Sequence, residues 1–452
     1  MDEAHGGLIR RIFGLSIGTT AARGLAMTSQ LLLAVWLTPA EFGHWAAAAS
    51  GIALLSGLTN LGEHSGYLSG TGSSWRSSRI RALGANSGLA LLGLGVAGLY
   101  LLGGRPEVAA LVAVASLCIP VAGDNEMQYS AGVKLKATRH LVTAQVCASA
   151  VKLIVAVAIA VSTGSAMALA ISMIVSFLAL DVLLLPLARR VNELEKTRQP
   201  VFMRASHRVA WAANALAMSL PLQASFLSAQ FVSTSELLGI FYFAFQISLG
   251  VSGLMAVPLS RVSLASFSES RGRERDALAS RLIQQFGMIA ACASSALAIL
   301  LLLAAPSVSE SWKLAIPATI ALLASLPIRL IGPIVDGYQQ SSNAWWQSTG
   351  FNVVAALGMA SAGLVGALGE VILVALSVSV WLVLHGLIRI VMVLRCLGTR
   401  ILSRVLIPNL ACSALILAAS VQTPIWAITL CTTSMLIAIA LALSSNGHRR
   451  VR

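Results

Sequence analysis

The chain has 452 residues, of which 57% are hydrophobic and 11% are charged. A soluble domain carries about 25% charged residues, so this composition excludes a typical soluble protein. The formal net charge of +14 does not predict a nucleic-acid partner, because the cations lie mainly between apolar segments, where membrane proteins concentrate lysine and arginine on the cytoplasmic side.

Apolar runs of about 18 residues or more recur from end to end and predict membrane-spanning helices. We therefore predict an all-α polytopic membrane protein with about 14 transmembrane helices. The predicted spans are residues 12–37, 44–69, 83–103, 108–128, 141–161, 166–188, 208–230, 236–260, 284–306, 315–337, 345–365, 370–393, 402–420 and 424–444.

Two segments with helix-start signals lie about 196 residues apart and indicate an internal repeat. In the first segment, Thr38 and Glu41 have the spacing of a capping box, and Pro39 suits the first helical position. In the second segment, Ser233 and Glu236 have the same spacing. The resulting alignment pairs Gly43 with Gly239 and Trp45 with Phe241.

The repeat predicts two bundles of six helices, an N-terminal lobe at residues 1–188 and a C-terminal lobe at residues 208–393. A basic cytoplasmic linker, residues 189–207, joins the two lobes. Residues 394–452 add helices 13 and 14 and a cytoplasmic tail. Because each lobe has an even number of spans, both lobes enter the membrane in the same direction.

The distribution of positive charge predicts the orientation in the membrane. Lysine and arginine lie in alternate predicted loops, and the opposite loops carry only Arg105 and Lys313. The positive-inside rule therefore places both the N-terminus and the C-terminus in the cytoplasm. The basic segment at residues 261–283 is predicted to form an interfacial amphipathic helix. The alternative interpretation is a solvated charged loop that also binds anionic membrane lipids.

Three predicted spans carry a polar stripe centred on a cation, and these cations are Arg23, Lys152 and Arg329. A charged side chain in a span costs about 2.5–3.5 kcal/mol on insertion scales, so it faces an interior or a wet cavity. The stripe of Arg329 includes Ser325 and Asp336 at helical spacing. One interpretation is a cationic cavity between the two lobes, because an anion that crosses a low-dielectric region needs compensating positive charge.

A second interpretation is that each cation forms an ion pair that only holds helices together. The carboxylates available for such pairs are Asp124, Glu126, Asp181 and Asp336. Arg389 lies near the predicted cytoplasmic end of its span, and we expect its side chain to snorkel to the interface.

Carboxylates near the inner ends of spans are candidates for coupling transport to H⁺ or Na⁺. We assign Glu63, Asp124 and Asp336 as the ion-coupling candidates. The alternative is that such carboxylates lie at the inner rim and contact water or nearby arginines.

Two features of the later spans concern helix geometry and packing. Pro327 and Pro333 bracket Arg329 and predict kinks in that span. His385 is predicted to be a packed, hydrogen-bonded histidine rather than a proton relay.

No catalytic constellation is present in the sequence. It contains no Walker loop, no G-x-S-x-G elbow, no H-E-x-x-H motif and no clustered metal ligands. The six cysteines are scattered and are interpreted as packing residues. We therefore predict a protein that is not an enzyme, with no cofactor and no metal site.

Several short stretches resemble the polysaccharide-transporter branch of the multidrug/oligosaccharidyl-lipid/polysaccharide (MOP) flippase superfamily, which includes Wzx-type O-antigen flippases. The resemblance extends over about residues 8–400. The stretches that carry it run from Leu37 to Ala46, Leu58 to Gly62, Leu238 to Ala244, Pro258 to Val262 and Ala265 to Ser268, and residues 125–140 look like the basic loop of the family before span 5.

The resemblance implies two MATE-like lobes around a V-shaped central cavity that opens to alternate sides. It implies a flippase that moves a polyprenyl-pyrophosphate-linked oligosaccharide from the inner to the outer leaflet of the bacterial inner membrane, for O-antigen, capsule or exopolysaccharide biosynthesis. Cationic cavity residues of this family engage the pyrophosphate, and Arg23, Lys152 and Arg329 are the matching candidates by chemistry. Further implied partners are a polysaccharide polymerase and chain-length proteins.

Two other functions stay open at this point. A cation-coupled exporter of drugs or metabolites on the same fold would have acidic rather than basic cavity chemistry. An integral-membrane glycosyl polymerase or ligase generally needs a sizeable extracytoplasmic loop, and the predicted outer loops are short. The excess of cations in the spans favours the flippase.

Overall fold

A computed structural model describes residues 20–22, 24–64, 67, 74–195, 205–270, 272–341, 345–394 and 399–447. This described part of the chain is helical and contains no β-strand. The chain folds into two compact units, Met1–Leu227 and Ser228–Arg452. The predicted lobe boundaries stay a prediction, and residues 196–204 of the linker lie outside the described residues.

The first unit is built from helices that pack side by side along much of their length. After the helical residues 24–33 come α1 (Pro39–Gly57), α2 (Trp75–Leu102), α3 (Pro106–Ser116), α4 (Cys118–Lys134), α5 (Thr138–Thr163), α6 (Met167–Leu194) and α7 (Ala205–Ala229), which ends at the boundary of the unit. Helix α4 packs against both α2 and α6, and α5 packs along α6. This packing brings polar side chains of α2, α4 and α6 together.

The second unit begins with a long helix and ends with a helical hairpin. Its helices are α8 (Ser235–Glu269), α9 (Gly272–Ala304), α10 (Ala315–Leu323), α11 (Leu326–Arg329), α12 (Gly332–Ser341), α13 (Trp345–Gly366), α14 (Val371–Leu394), α15 (Thr399–Ala419) and α16 (Pro424–Gly447). Helix α8 packs on α10 and α12, while α9 packs on α16. Apolar side chains of α9, α10, α15 and α16 form one of the cores of this unit.

The helices are long and apolar enough for a multi-pass membrane protein. Eight helices of the described residues meet the length and hydropathy of a membrane span, and a bent pair adds a ninth. Two shorter apolar helices, Leu406–Ala419 and Pro424–Ala440, follow. The predicted all-α polytopic fold is therefore confirmed.

The two segments of the internal repeat begin their helices in the same way. Thr38 precedes α1, and its Oγ1 accepts a hydrogen bond from the backbone N–H of Glu41 at 3.3 Å. Thr234 precedes α8, and its Oγ1 accepts from the N–H of Leu237, also at 3.3 Å. Both threonines thus satisfy a backbone donor that a helix start leaves free. Trp45 and Phe241 are both buried.

The predicted capping boxes are correct in position but not in detail. The Glu41 carboxylate accepts a hydrogen bond from the backbone N–H of Ala166 at 2.5 Å, just before α6, instead of closing the box on α1. In the second segment the capping residue is Thr234 rather than Ser233. A carboxylate at the start of α6 also complements the positive end of that helix dipole.

Two predicted loops are largely helical. Helix α8 continues to Glu269 and α9 starts at Gly272, which has φ +53° and allows a tight turn. Residues 261–283, for which one interfacial helix or a charged loop was predicted, are instead divided between the end of α8 and the start of α9, and Leu278 and Leu282 pack against a core of the unit. Likewise, α4 runs to Lys134 through most of the segment that resembled a basic loop.

Candidate functional site

Arg329 lies where its predicted span is interrupted. The segments Glu310–Leu323 and Leu326–Gln339 are bent by 47° relative to each other. Pro327 stands in the first turn of α11, where a missing backbone N–H is tolerated. The kink predicted from the prolines is therefore confirmed. The predicted polar stripe that joined Arg329 to Asp336 required one unbroken helix. In the structure α11 ends at Arg329 and α12 starts at Gly332.

The guanidinium of Arg329 is held by neutral groups of α8. Its Nη1 donates to Ser248 Oγ and its Nη2 donates to Ser252 Oγ, each at 3.0 Å. The guanidinium carbon also lies 5.8 Å from the centre of the Phe245 ring. Ser248 and Ser252 are four residues apart, so they share one face of the helix. The serines fix the position of the guanidinium without neutralising its charge.

Lys152 is the corresponding uncompensated cation of the first unit. It lies in α5, a candidate membrane span, and is partly buried. No ion pair or hydrogen bond of Lys152 is found within the described ranges, and the same holds for an ion pair of Arg329. Arg23, the third predicted cation, lies outside the described residues.

Two of the predicted ion-coupling carboxylates form bidentate pairs with arginines of α2. Arg79 donates to the two carboxylate oxygens of Asp124 at 2.5 Å each. Arg81 donates to those of Glu63 at 3.0 and 2.9 Å. Both carboxylates are buried. These are the contacts with nearby arginines that the alternative interpretation considered, and they occupy the oxygens that would bind a coupling ion.

The third predicted ion-coupling carboxylate, Asp336, pairs with Arg389. Arg389 also donates to Gln339 Oε1 at 2.8 Å and Ser348 Oγ at 3.2 Å. Its guanidinium lies 5.6 Å from the centre of the Phe351 ring. Arg389 is only 7% exposed, so the prediction that it snorkels to the interface is wrong. Buried polar partners in the unit hold it more favourably than the interface would.

Two of the four carboxylates that were available for helix-locking pairs therefore have other partners. Asp124 is bound by Arg79, and Asp336 is bound by Arg389. The interpretation of Lys152 and Arg329 as members of helix-locking ion pairs receives no support from the described residues. His385, in contrast, behaves as predicted, because its Nε2 lies 2.9 Å from the carbonyl oxygen of Phe351.

A buried asparagine pair was not predicted from the sequence. Asn60 has a positive φ of 61°, and its backbone N–H donates to Asn86 Oδ1 at 2.8 Å. Asn86 Nδ2 donates back to Asn60 Oδ1 at 2.8 Å. The sequence signal was an asparagine within an apolar run, since asparagine adopts this left-handed conformation more readily than most residues. The pair terminates α1 earlier than the predicted span at residues 44–69.

Glu126 extends this asparagine pair and was only a weak candidate from sequence. Its Oε2 accepts from Asn60 Nδ2 at 2.9 Å and lies 3.9 Å from His64 Nδ1. The side chain is 51% exposed. Among the described residues it has no lysine or arginine within ion-pair distance. Glu126 is therefore an accessible carboxylate. Asp124, which lies in the same helix, is instead neutralised by Arg79.

Solved structures with the same fold were found by structural comparison, and 21 chains match. The lipid II flippase MurJ, in an inward closed conformation, shares 14% sequence identity over 97% of this chain and 99% of that chain, with a TM-score of 0.67. A MOP-superfamily transporter from Pyrococcus furiosus shares 15% identity over 87% and 96% of the two chains, with a TM-score of 0.62. An inward-facing MATE-family multidrug-resistance transporter shares 14% identity over 84% and 95%, with a TM-score of 0.57.

These likenesses define the class of fold. The chain is a multi-pass membrane protein with the fold of MOP-superfamily transporters. Its likeness to the flippase MurJ extends over nearly the whole of both chains. No family model and no curated protein matches the sequence, so the polysaccharide-transporter branch stays a prediction.

Proposed function

We propose that the protein is a flippase for a lipid-linked oligosaccharide whose lipid and sugar are joined by pyrophosphate. The observation that carries this proposal is the pair of membrane-embedded cations, Lys152 and Arg329, without carboxylate partners among the described residues. An uncompensated cation in a low-dielectric region is unfavourable. Binding a pyrophosphate during transport would offset that cost, while the polyprenyl tail stays in the bilayer.

The geometry at Arg329 suits a phosphate group. Arginine has five N–H donors, and the bonds to Ser248 and Ser252 use two of them. The remaining donors can bind two phosphate oxygens in the fork arrangement that guanidinium prefers. Because the serines already orient the guanidinium, little side-chain entropy would be lost on binding.

The fold supports a transporter of lipid-linked substrates. MurJ, whose fold this chain shares, is a flippase of lipid II. We propose that this chain moves its substrate from the inner to the outer leaflet of a bacterial inner membrane, with both termini in the cytoplasm. A polysaccharide polymerase and chain-length proteins would then act on the product. A cationic substrate-binding site that includes Lys152 and Arg329 is part of this proposal.

Gene deletion followed by mapping of the leaflet that holds the lipid-linked glycan tests the proposal. We expect the glycan to accumulate in the cytoplasmic leaflet and surface polysaccharide to disappear. The wild-type gene should restore both, whereas Lys152→Gln and Arg329→Gln should restore little at equal protein level. Normal leaflet distribution in the deletion strain would overturn the flippase assignment.

A cation-coupled exporter on the same fold is the second candidate, and Glu126 is the observation that favours it. This exposed carboxylate could bind a cationic substrate or a coupling ion, unlike Glu63, Asp124 and Asp336, whose oxygens contact arginines. An exporter predicts drug sensitivity of the deletion strain with normal surface glycan. A flippase predicts the reverse pattern.

A further inference from the structure

A groove on α6 is lined by residues that take no part in the contacts described above. It has a volume of about 520 Å³ and is lined by Val182, Leu185, Pro186, Arg189, Arg190 and Glu193. Most of these residues recur at intervals of three or four and therefore share one helix face. The first three are apolar and the last three are charged, so polarity changes sharply along the groove.

The contact between α5 and α6 locates this change of polarity relative to the membrane. His140, in the first turn of α5, lies with Nε2 2.6 Å from the carbonyl oxygen of Leu183. The turn before α5 is on the predicted cytoplasmic side, so Leu183 lies near that interface. Arg189 and Arg190 follow about 9 and 10.5 Å further along the helix, at headgroup depth. Val182 is 67% exposed and faces the apolar side.

Pro186 gives the groove a hydrogen-bond acceptor. A proline inside a helix has no N–H, so the carbonyl of Val182, four residues earlier, lacks its usual helical donor. The Glu193 carboxylate provides a second acceptor at the other end. A ligand with hydroxyl groups beyond its anionic centre would donate to the Glu193 carboxylate at the charged end of the groove.

We propose that this groove binds an anionic phospholipid of the cytoplasmic leaflet, with a hydroxyl-bearing headgroup such as phosphatidylglycerol. The phosphate would lie at Arg189 and Arg190, which are both exposed, and an acyl chain would lie along Val182. Charge complementarity favours an anionic lipid over a zwitterionic one. The volume is within the range of small-molecule sites, about 300–1,000 Å³, and accommodates a glycerophosphate headgroup.

Thermal unfolding of the purified full-length protein in detergent tests this site. We expect phosphatidylglycerol to raise the unfolding temperature and phosphatidylcholine to have a much smaller effect. In the double variant Arg189→Gln/Arg190→Gln, the lipid concentration for half of the effect should rise about tenfold or more, corresponding to about 1.4 kcal/mol. Arg105→Gln, an exposed arginine of a predicted outer loop, is the matched control and should respond like the wild type.

Three outcomes would overturn the proposal. They are an equal effect of the two lipids, an unchanged response of the double variant, and reproduction of the full effect by inorganic phosphate or glycerol phosphate, which would indicate a soluble anion site. If the double variant does not fold, Arg190→Gln alone is compared with the wild type by retention of phosphatidylglycerol in native mass spectrometry. Equal retention would then contradict the site.

Discussion

Asp336 pairs with Arg389 and not with Arg329, although Arg329 is the closer of the two arginines in sequence. The break between α11 and α12 separates Arg329 from Asp336, and Ser348 of α13 donates to the same carboxylate at 3.1 Å. Of these two arginines, Arg389 is therefore neutralised by a carboxylate, whereas the contacts of Arg329 among the described residues are with serine hydroxyls and an aromatic ring. We therefore interpret Arg389 as a cation that stabilises the fold and Arg329 as a candidate for substrate binding.

The first prediction concerns binding at Arg329. Arg329→Gln should weaken binding of a polyprenyl pyrophosphate about tenfold to a hundredfold, because a charge-assisted hydrogen bond contributes about 1.5–3 kcal/mol. Affinity of the purified protein for the lipid is the measurement. Arg329→Lys, which keeps the charge but loses the fork, should show an intermediate affinity. Equal affinity of all three proteins would exclude Arg329 from the binding site.

The second prediction concerns the role of Arg389. Asp336→Asn should destabilise the protein by about 3–5 kcal/mol, because it leaves a buried guanidinium without its counter-ion. Thermal unfolding in detergent is the measurement. The double variant Asp336→Asn/Arg389→Gln should regain part of the loss, since it removes both charges. A single variant as stable as the wild type would show that the pair is not needed for folding.

The third prediction concerns the contact of α4 with the asparagine pair. A Cβ at position 123 would lie 1.8 Å from Asn86 Nδ2. Gly123→Ala should therefore cost about 1–3 kcal/mol, because overpacking displaces Asn86. Gly88→Ala is the control on α2, where nothing lies within 4 Å of the added Cβ. The control should be neutral or slightly stabilising, and a similar loss in both variants would argue against the described packing.

The fourth prediction separates the two candidate functions. Glu126→Gln removes an accessible charge but keeps a side chain that can accept the hydrogen bond from Asn60. If the protein is a flippase that binds its substrate through cations, glycan display in the variant should stay within about twofold of wild type. The reason is that substitution of an exposed side chain usually changes the free energy of unfolding only slightly. Loss of transport at normal protein level would instead favour a cation-coupled mechanism.

Most of the fold could be predicted from the sequence because membrane spans need long apolar runs, and these runs are visible without a structure. The cap at Thr38 was also predictable, since capping depends on a few adjacent residues, and the second cap was predicted one residue early, at Ser233 instead of Thr234. The extensions of α8 and α9 through residues 261–283 were not. Charged residues there suggested an interface, whereas their apolar neighbours pack in the core.

The candidate site was predictable only in part. Residue type and position identified Lys152 and Arg329 as cations in spans, but ion-pair partners depend on contacts between distant helices. Arg79 was predicted to lie in a loop, whereas the packing of α2 against α4 places its side chain beside Asp124. For the same reason, the exposed carboxylate of Glu126 could not be distinguished from its paired neighbour.

Transport by the purified protein in proteoliposomes tests whether it moves a pyrophosphate-linked lipid between leaflets with the help of Lys152 and Arg329. The substrate is a fluorescent polyprenyl-pyrophosphate oligosaccharide, and the measured quantity is the fraction that a membrane-impermeant quencher reaches over time. We expect rapid exchange between leaflets with the wild type and with Arg105→Gln, and a rate reduced about tenfold or more with Lys152→Gln or Arg329→Gln. Exchange no faster than in protein-free vesicles, or equal rates in all variants, would contradict the proposed transport.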